Sequence, residues 1–122
     1  MIHLEFYGSE NGRGPIKWEI QSDVTGHESC FTVSEACGEP HTEMQSMVIA
    51  KLREKCMILL YALESEEPFA FICTKDEITL PMLIPSMDFT VQQELFEFQP
   101  NESENGKYSG KLSKVVIKKL TD

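Results

Sequence analysis

The chain has 122 residues, of which 41% are hydrophobic and 25% are charged, and this composition matches one globular domain and excludes an intrinsically disordered chain. Twenty acidic residues against eleven basic ones give a net charge of −9 at pH 7. Because a strongly negative surface repels nucleic acid, we expect no direct nucleic-acid binding and a protein partner with a basic surface.

The charge is distributed unevenly along the chain. Residues 1–106 hold nineteen carboxylates and six basic side chains, whereas residues 107–122 hold five lysines and one aspartate. No apolar run approaches the roughly 20 residues that span a membrane, and the first residues lack the pattern of a secretion signal. We therefore expect a cytoplasmic protein with reduced cysteines and no membrane association.

The first predicted element is a β-hairpin formed by residues 4–7 and 16–20. Ile16, Trp18 and Ile20 alternate with polar residues, which is the pattern of a half-buried antiparallel strand. The intervening loop contains Asn11-Gly12, a dipeptide that favours the positive φ angles of tight turns. A third strand is predicted at residues 31–33.

The next predicted element is an amphipathic helix over residues 43–55. Thr42 and Gln45 have the spacing of a capping box at its start. Apolar or thiol side chains then recur at every fourth position, at Met44, Val48, Leu52 and Cys56. This spacing places them on one helical face.

The following segment, residues 56–63, is apolar throughout and fits either a continuation of the helix or a fully buried strand. Residues 69–73 and 78–80 are predicted to be strands. Pro81 and Pro85 lack the amide proton that a central strand must donate, so residues 81–87 are predicted to form a loop or an edge strand.

The last predicted element is a long hairpin that pairs residues 88–99 with residues 107–120 about an Asn105-Gly106 turn. In this hairpin Glu94 and Glu97 would face the lysines of the basic tail. The resulting fold class is α+β, a mainly antiparallel sheet of six to eight strands with one amphipathic helix packed on it, in a single domain spanning residues 1–122. The predicted core residues are Trp18, Met44, Met47, Val48, Leu52, Leu59, Phe69 and Phe71.

The acidity itself suggests a function. The chain contains no phosphate-binding glycine loop, zinc-protease helix, nucleophile-elbow serine or calcium loop, so the sequence predicts a protein that is not an enzyme and needs no cofactor. We expect an inhibitor-, immunity- or adaptor-like protein that docks on a basic partner. The carboxylates predicted to contact this partner flank the predicted helix, at Glu28, Glu35, Glu39, Glu64, Glu66 and Glu67.

An alternative function rests on a cluster of histidines and cysteines. The set consists of His27, Cys30, Cys37 and His41. Imidazole nitrogen and thiolate sulfur are the ligands of tetrahedral zinc, so this set predicts a small zinc-binding domain. Cys37 with His41 also suggests a reactive thiol, although neighbouring glutamates would raise the pKa of that thiol.

Overall fold

The computed structural model describes residues 2–23, 27–34, 42–52, 55–62, 66–87, 90–100 and 111–120. These residues form two antiparallel sheets. The strands, in chain order, are β1 (Ile2–Tyr7), β2 (Ile16–Ser22), β3 (Glu28–Thr32), β4 (Thr42–Glu43), β5 (Ser46–Leu52), β6 (Cys56–Ala62), β7 (Ala70–Thr74), β8 (Met82–Ile84), β9 (Val91–Gln92), β10 (Phe96–Pro100) and β11 (Lys111–Lys119).

The two sheets differ in size. The four-stranded sheet has the order β2-β1-β5-β8, and the seven-stranded sheet has the order β3-β11-β6-β7-β10-β9, with β4 also paired to β11. The chain passes from the seven-stranded sheet to the four-stranded sheet between β4 and β5, at the fully buried Met44. No described residue lies in a helix long and apolar enough to cross a membrane.

One hydrophobic core lies between the sheets. On β1 the side chains of Ile2, Leu4 and Phe6 point inward and are at most 3% exposed, while the residues between them are half-buried. Side chains from both sheets join the same cluster, including Phe96 and Phe98 of β10. Strict alternation of this kind produces a strand with one face in the core.

The predicted opening hairpin is confirmed, because β1 and β2 pair antiparallel. Asn11 and Gly12 have φ angles of 63° and 68°, and the amide of Arg13 donates to the carbonyl of Glu10 at 3.3 Å. These features match a type I′ turn, as the Asn-Gly dipeptide predicted. The ladder shifts by one residue at Lys17, which leaves Ile16 47% exposed although Trp18 and Ile20 are buried.

The predicted helix over residues 43–55 is wrong. Residues 42–43 and 46–52 form strands β4 and β5, and within the described residues no helix reaches seven residues. Positions separated by four also share one face of a strand, so the fourfold spacing does not discriminate between the two structures. In addition, the β1–β5 register skips Ala50, and this β-bulge makes both Ile49 and Leu52 face inward at the three-residue spacing of a helix. The α+β assignment is therefore replaced by a nearly all-β architecture of two antiparallel sheets.

The predicted C-terminal hairpin is also wrong. Strand β10 pairs with β7 and β9, whereas β11 pairs with β3, β4 and β6. Two strands therefore separate Glu97 from the lysines of β11, and Lys114 instead lies over the ring of Tyr61, 4.3 Å from its centroid. Asn105 and Gly106 lie outside the described residues.

The remaining predicted elements have mixed outcomes. Residues 56–62 form strand β6, which settles the ambiguity of this segment, and residues 70–74 form β7. Ile78 makes only an isolated bridge to Leu52, and the proline-flanked β8 is an edge strand. Five of the predicted core residues are at most 9% exposed, namely Trp18, Met44, Met47, Leu52 and Leu59. The other three are half-buried, namely Val48, Phe69 and Phe71.

Candidate functional site

The most concentrated group of ligating side chains in the described residues lies on the outward face of β1 and β2. His3 and Glu5 project from β1 toward solvent, and Glu19 projects from the adjacent β2. The strand register places Glu5 directly opposite Glu19 and His3 opposite Gln21. We call His3, Glu5 and Glu19 the polar cluster.

The three donor atoms of the polar cluster converge on a small volume. His3 Nε2 lies 3.3 Å from Glu19 Oε2 and 3.6 Å from Glu5 Oε2. One nitrogen or oxygen atom from each residue lies within 4.8 Å of the others. The side chains of His3 and Glu5 are 26% and 20% exposed, so the cluster is open to solvent on one side and packed on the other.

Two neighbouring side chains orient the carboxylates. The hydroxyl of Tyr7 donates to Glu5 Oε1 at 3.0 Å, and the amide nitrogen of Gln21 donates to Glu19 Oε1 at 2.7 Å. Each carboxylate is therefore held through one oxygen while its other oxygen faces His3. Burial raises the pKa of Tyr7, and the hydrogen bond to Glu5 raises it further, so the phenol stays a proton donor.

A cation at this position has a physical rationale. Two carboxylates directly opposite each other on adjacent strands repel, which destabilises the pair. A positive charge between them offsets this repulsion, and a metal ion held by His3 would supply that charge. Lys51 of β5 is opposite His3 on its other side, and no ion pair in the described residues joins Lys51 to either carboxylate.

The structure describes only half of the predicted histidine and cysteine set. His27 is exposed immediately before β3, and Cys30 is exposed on that strand, while Cys37 and His41 lie outside the described residues. Among the residues that the structure describes, His27 and Cys30 take part in no group of three metal-ligating side chains. The four-residue zinc site and the reactive thiol stay predictions.

Three of the six carboxylates predicted to contact a partner are described, and all three are exposed. Glu28 begins β3, opposite Lys118, at one end of the seven-stranded sheet. Glu66 and Glu67 follow β6 at the opposite end. The described members therefore do not form one patch, and Glu35, Glu39 and Glu64 lie outside the described residues.

The polar cluster was not predicted, although the sequence contains a signal for it. His3 and Glu19 are sixteen positions apart, so they do not stand out as neighbours in the chain. The predicted hairpin of residues 4–7 and 16–20 already placed Glu5 and Glu19 on adjacent strands, and alternation continued by one residue would have placed His3 on the same face as Glu5.

Comparison of this chain with protein-family models, with curated proteins and with solved structures gives no match in any of the three.

Proposed function

We propose that this protein is a non-enzymatic acidic binding domain of the inhibitor, immunity-protein or adaptor kind, which docks on a partner protein with a basic surface. The observation that supports this proposal is where the negative charge lies. Of the twelve acidic residues among those described, ten are exposed, and Glu5 and Glu97 are half-buried. The charge therefore acts on approaching molecules, and complementary charge accelerates association with a basic partner.

The end of the sandwich at which β1 and β6 terminate is the proposed docking region. The loop of residues 8–15 leaves β1 at this end and exposes Glu10, and the connection after β6 exposes Glu66 and Glu67. We call Glu10, Glu66 and Glu67 the acidic end. Loops gathered at one end of a β-sandwich are a common binding surface because the sheets hold them in place.

The loop of residues 8–15 is held rigidly enough to serve in docking. The hydroxyl of the fully buried Ser46 donates to the carbonyl of Ser9 at 2.6 Å and accepts from the amide of Gly12 at 2.8 Å. The amide of Asn11 also donates to the carbonyl of Pro85 at 2.9 Å. A loop that is already ordered loses less conformational entropy on binding.

A cytoplasmic location is part of the proposal. It rests on composition, because a domain in which 41% of residues are hydrophobic does not need disulfides to stabilise its core.

The experiment that tests the acidic end uses matched charge reversals. The immobilised chain captures binding proteins from a lysate of its source cells at low and high salt. One variant combines Glu10→Lys, Glu66→Lys and Glu67→Lys. A control variant combines Asp76→Lys, Glu77→Lys and Glu94→Lys, which changes the net charge equally at the opposite end of the sandwich.

We expect a partner whose capture falls as salt increases and falls at least about tenfold in the acidic-end variant, while the control variant retains it. Equal losses in both variants would show that net charge alone attracts proteins nonspecifically. Capture that neither variant nor salt changes would overturn the proposal, because the partner would then not recognise the carboxylates.

A further inference from the structure

The polar cluster combines an imidazole with two carboxylates, and this donor set differs from an ordinary acidic patch. Imidazole suits zinc and similar divalent transition metals, whereas magnesium and calcium prefer oxygen ligands alone. Of the two described histidines, His3 and His27, only His3 lies beside two described carboxylates in this way.

The spacing of the donor atoms fits a metal ion. Zinc binds nitrogen and oxygen ligands at about 2.0–2.2 Å in a tetrahedron, so two of its ligands are separated by roughly 3.3–3.6 Å. The distances from His3 Nε2 to Glu19 Oε2 and to Glu5 Oε2 are 3.3 and 3.6 Å. These distances fit two edges of such a tetrahedron, and the solvent-exposed side leaves its fourth position for water.

The hydrogen bonds around the two carboxylates also fit a metal site. Metal-binding carboxylates are usually held by hydrogen bonds to their second oxygen, and loss of such a partner weakens metal binding by about 10- to 100-fold. Tyr7 and Gln21 make these hydrogen bonds to Glu5 and Glu19. Gln21 Nε2 also lies 3.4 Å from His3 Nε2, and a metal ion bound to His3 would displace this contact. The opposed carboxylates would also repel each other less with a divalent cation between them.

We propose that His3, Glu5 and Glu19 bind one zinc-type divalent metal ion on the outward face of the four-stranded sheet. This site is separate from the histidine and cysteine set at residues 27–41, and it does not depend on the acidic end.

Isothermal titration calorimetry of the tag-free, chelator-treated chain tests this proposal, with zinc, magnesium and calcium chlorides as separate titrants. The cluster variants are His3→Ala, Glu5→Gln and Glu19→Gln. Tyr7→Phe removes the hydrogen bond to Glu5, and Cys30→Ser tests the other histidine and cysteine set. His27→Ala is the matched control, because it removes an exposed histidine from the other sheet. Circular dichroism melting of each variant confirms that the fold is retained.

We expect one equivalent of zinc to bind, with affinity at least 10-fold higher than for magnesium or calcium. Each cluster variant should weaken zinc binding by at least about 10-fold, and His27→Ala should leave it unchanged. Tyr7→Phe should weaken it while preserving the stoichiometry.

Three results would overturn the proposal. Absence of zinc binding to the parent chain would show that these three side chains do not form a metal site. Loss of zinc binding in His27→Ala and Cys30→Ser, but not in the cluster variants, would assign the metal to the other set. Dependence on His3 without dependence on Glu5 or Glu19 would remove the carboxylates from the site.

Discussion

The outward faces of the two sheets differ far more than their inward faces. Both sheets send apolar side chains into one core, but β1 presents His3, Glu5 and Tyr7 to the outside, whereas β6 presents Met57, Leu59 and Tyr61. Leu59 is only 9% exposed although it faces away from the core, because the register places Phe71 and Val116 on either side of it. We call the outward side chains of β6 and its two neighbours the apolar face.

This difference explains why the sequence predicted β1 as a strand but left β6 ambiguous between helix and strand. Polar residues alternate with apolar ones on β1 because only one of its faces is buried. Strand β6 lies in the middle of the seven-stranded sheet with apolar side chains on both faces, so its sequence has no alternation. We therefore expect the apolar face to contribute to stability as a second, smaller core does.

Substitution of Leu59 tests this comparison with the largest expected effect. Leu59→Ala removes a nearly buried side chain from the apolar face and should lower the free energy of unfolding by about 2–5 kcal/mol, as in a protein core. Leu83→Ala is the matched control, because Leu83 lies on the edge strand β8 and is 42% exposed. Urea unfolding monitored by Trp18 fluorescence measures both changes.

Leu83→Ala should lower the free energy of unfolding by less than about 1 kcal/mol, because an exposed leucine gains little hydrophobic free energy when the chain folds. Equal costs for the two substitutions would show that the apolar face is an ordinary surface and that burial on the outward side contributes nothing to stability.

The sequence could predict the elements whose signals are local. Asn11-Gly12 determined its turn through the positive φ angles of both residues, and Pro81 and Pro85 marked an edge because they cannot donate in a central ladder. The pairing of β11 with β6 was not predictable in this way, because the alternation of a strand does not specify its neighbour. The bulge at Ala50 could not be predicted for a related reason, because a bulge is defined by the pairing of two strands, here β5 with β1.

The candidate site was predictable in part. The alternation of β1 and β2 placed His3, Glu5 and Glu19 on one outward face, but the distances between their donor atoms depend on register. Register in turn depends on the bulge at Lys17, which no local propensity reveals.

Substitution of Ser46 tests the part of the outward face of the four-stranded sheet that the loop of residues 8–15 covers. Ser46 faces outward on β5, yet it is fully buried beneath the loop of residues 8–15. Ser46→Ala leaves the amide of Gly12 and the carbonyl of Ser9 without this partner. We expect a loss of about 1–3 kcal/mol in the free energy of unfolding, with faster amide exchange at Gly12.

Ser22→Ala is the control for this measurement, because within the described part of the chain the hydroxyl of Ser22 makes one exposed contact, of 3.5 Å to the carbonyl of Asp23. It should change stability by less than about 0.5 kcal/mol. Unchanged exchange at Gly12 in Ser46→Ala would show that other contacts fix the loop.

A pair of double-mutant cycles tests the strand order at the rim of the apolar face. Lys114 lies over the ring of Tyr61, so Lys114→Met and Tyr61→Leu should couple by about 0.5–1 kcal/mol. Lys114→Met and Glu97→Gln should show no measurable coupling, because three strand spacings place their strands roughly 14 Å apart. The reverse pattern would restore the hairpin that the sequence predicted.

The smallest expected effect concerns Glu97, a carboxylate that lies opposite a cysteine of the apolar face. Cys73 lies opposite Glu97 and Met57, and partial burial raises the pKa of its thiol, with a further increase from the charge of Glu97. An acid whose pKa is higher in the folded state than in the unfolded state stabilises the fold below its unfolded pKa. This contribution should therefore diminish as pH rises past the ordinary value of 9.0.

Alkylation of Cys73, followed by peptide mass spectrometry across pH, measures this shift. In the folded protein half-maximal alkylation should require a higher pH than in concentrated urea, since the thiolate is the species that reacts. Glu97→Gln should reduce the difference without abolishing it, because burial is the larger cause. If Glu97→Gln abolished the difference, the neighbouring charge and not the apolar surroundings would control this thiol, and the apolar face would be more hydrated than its side chains indicate.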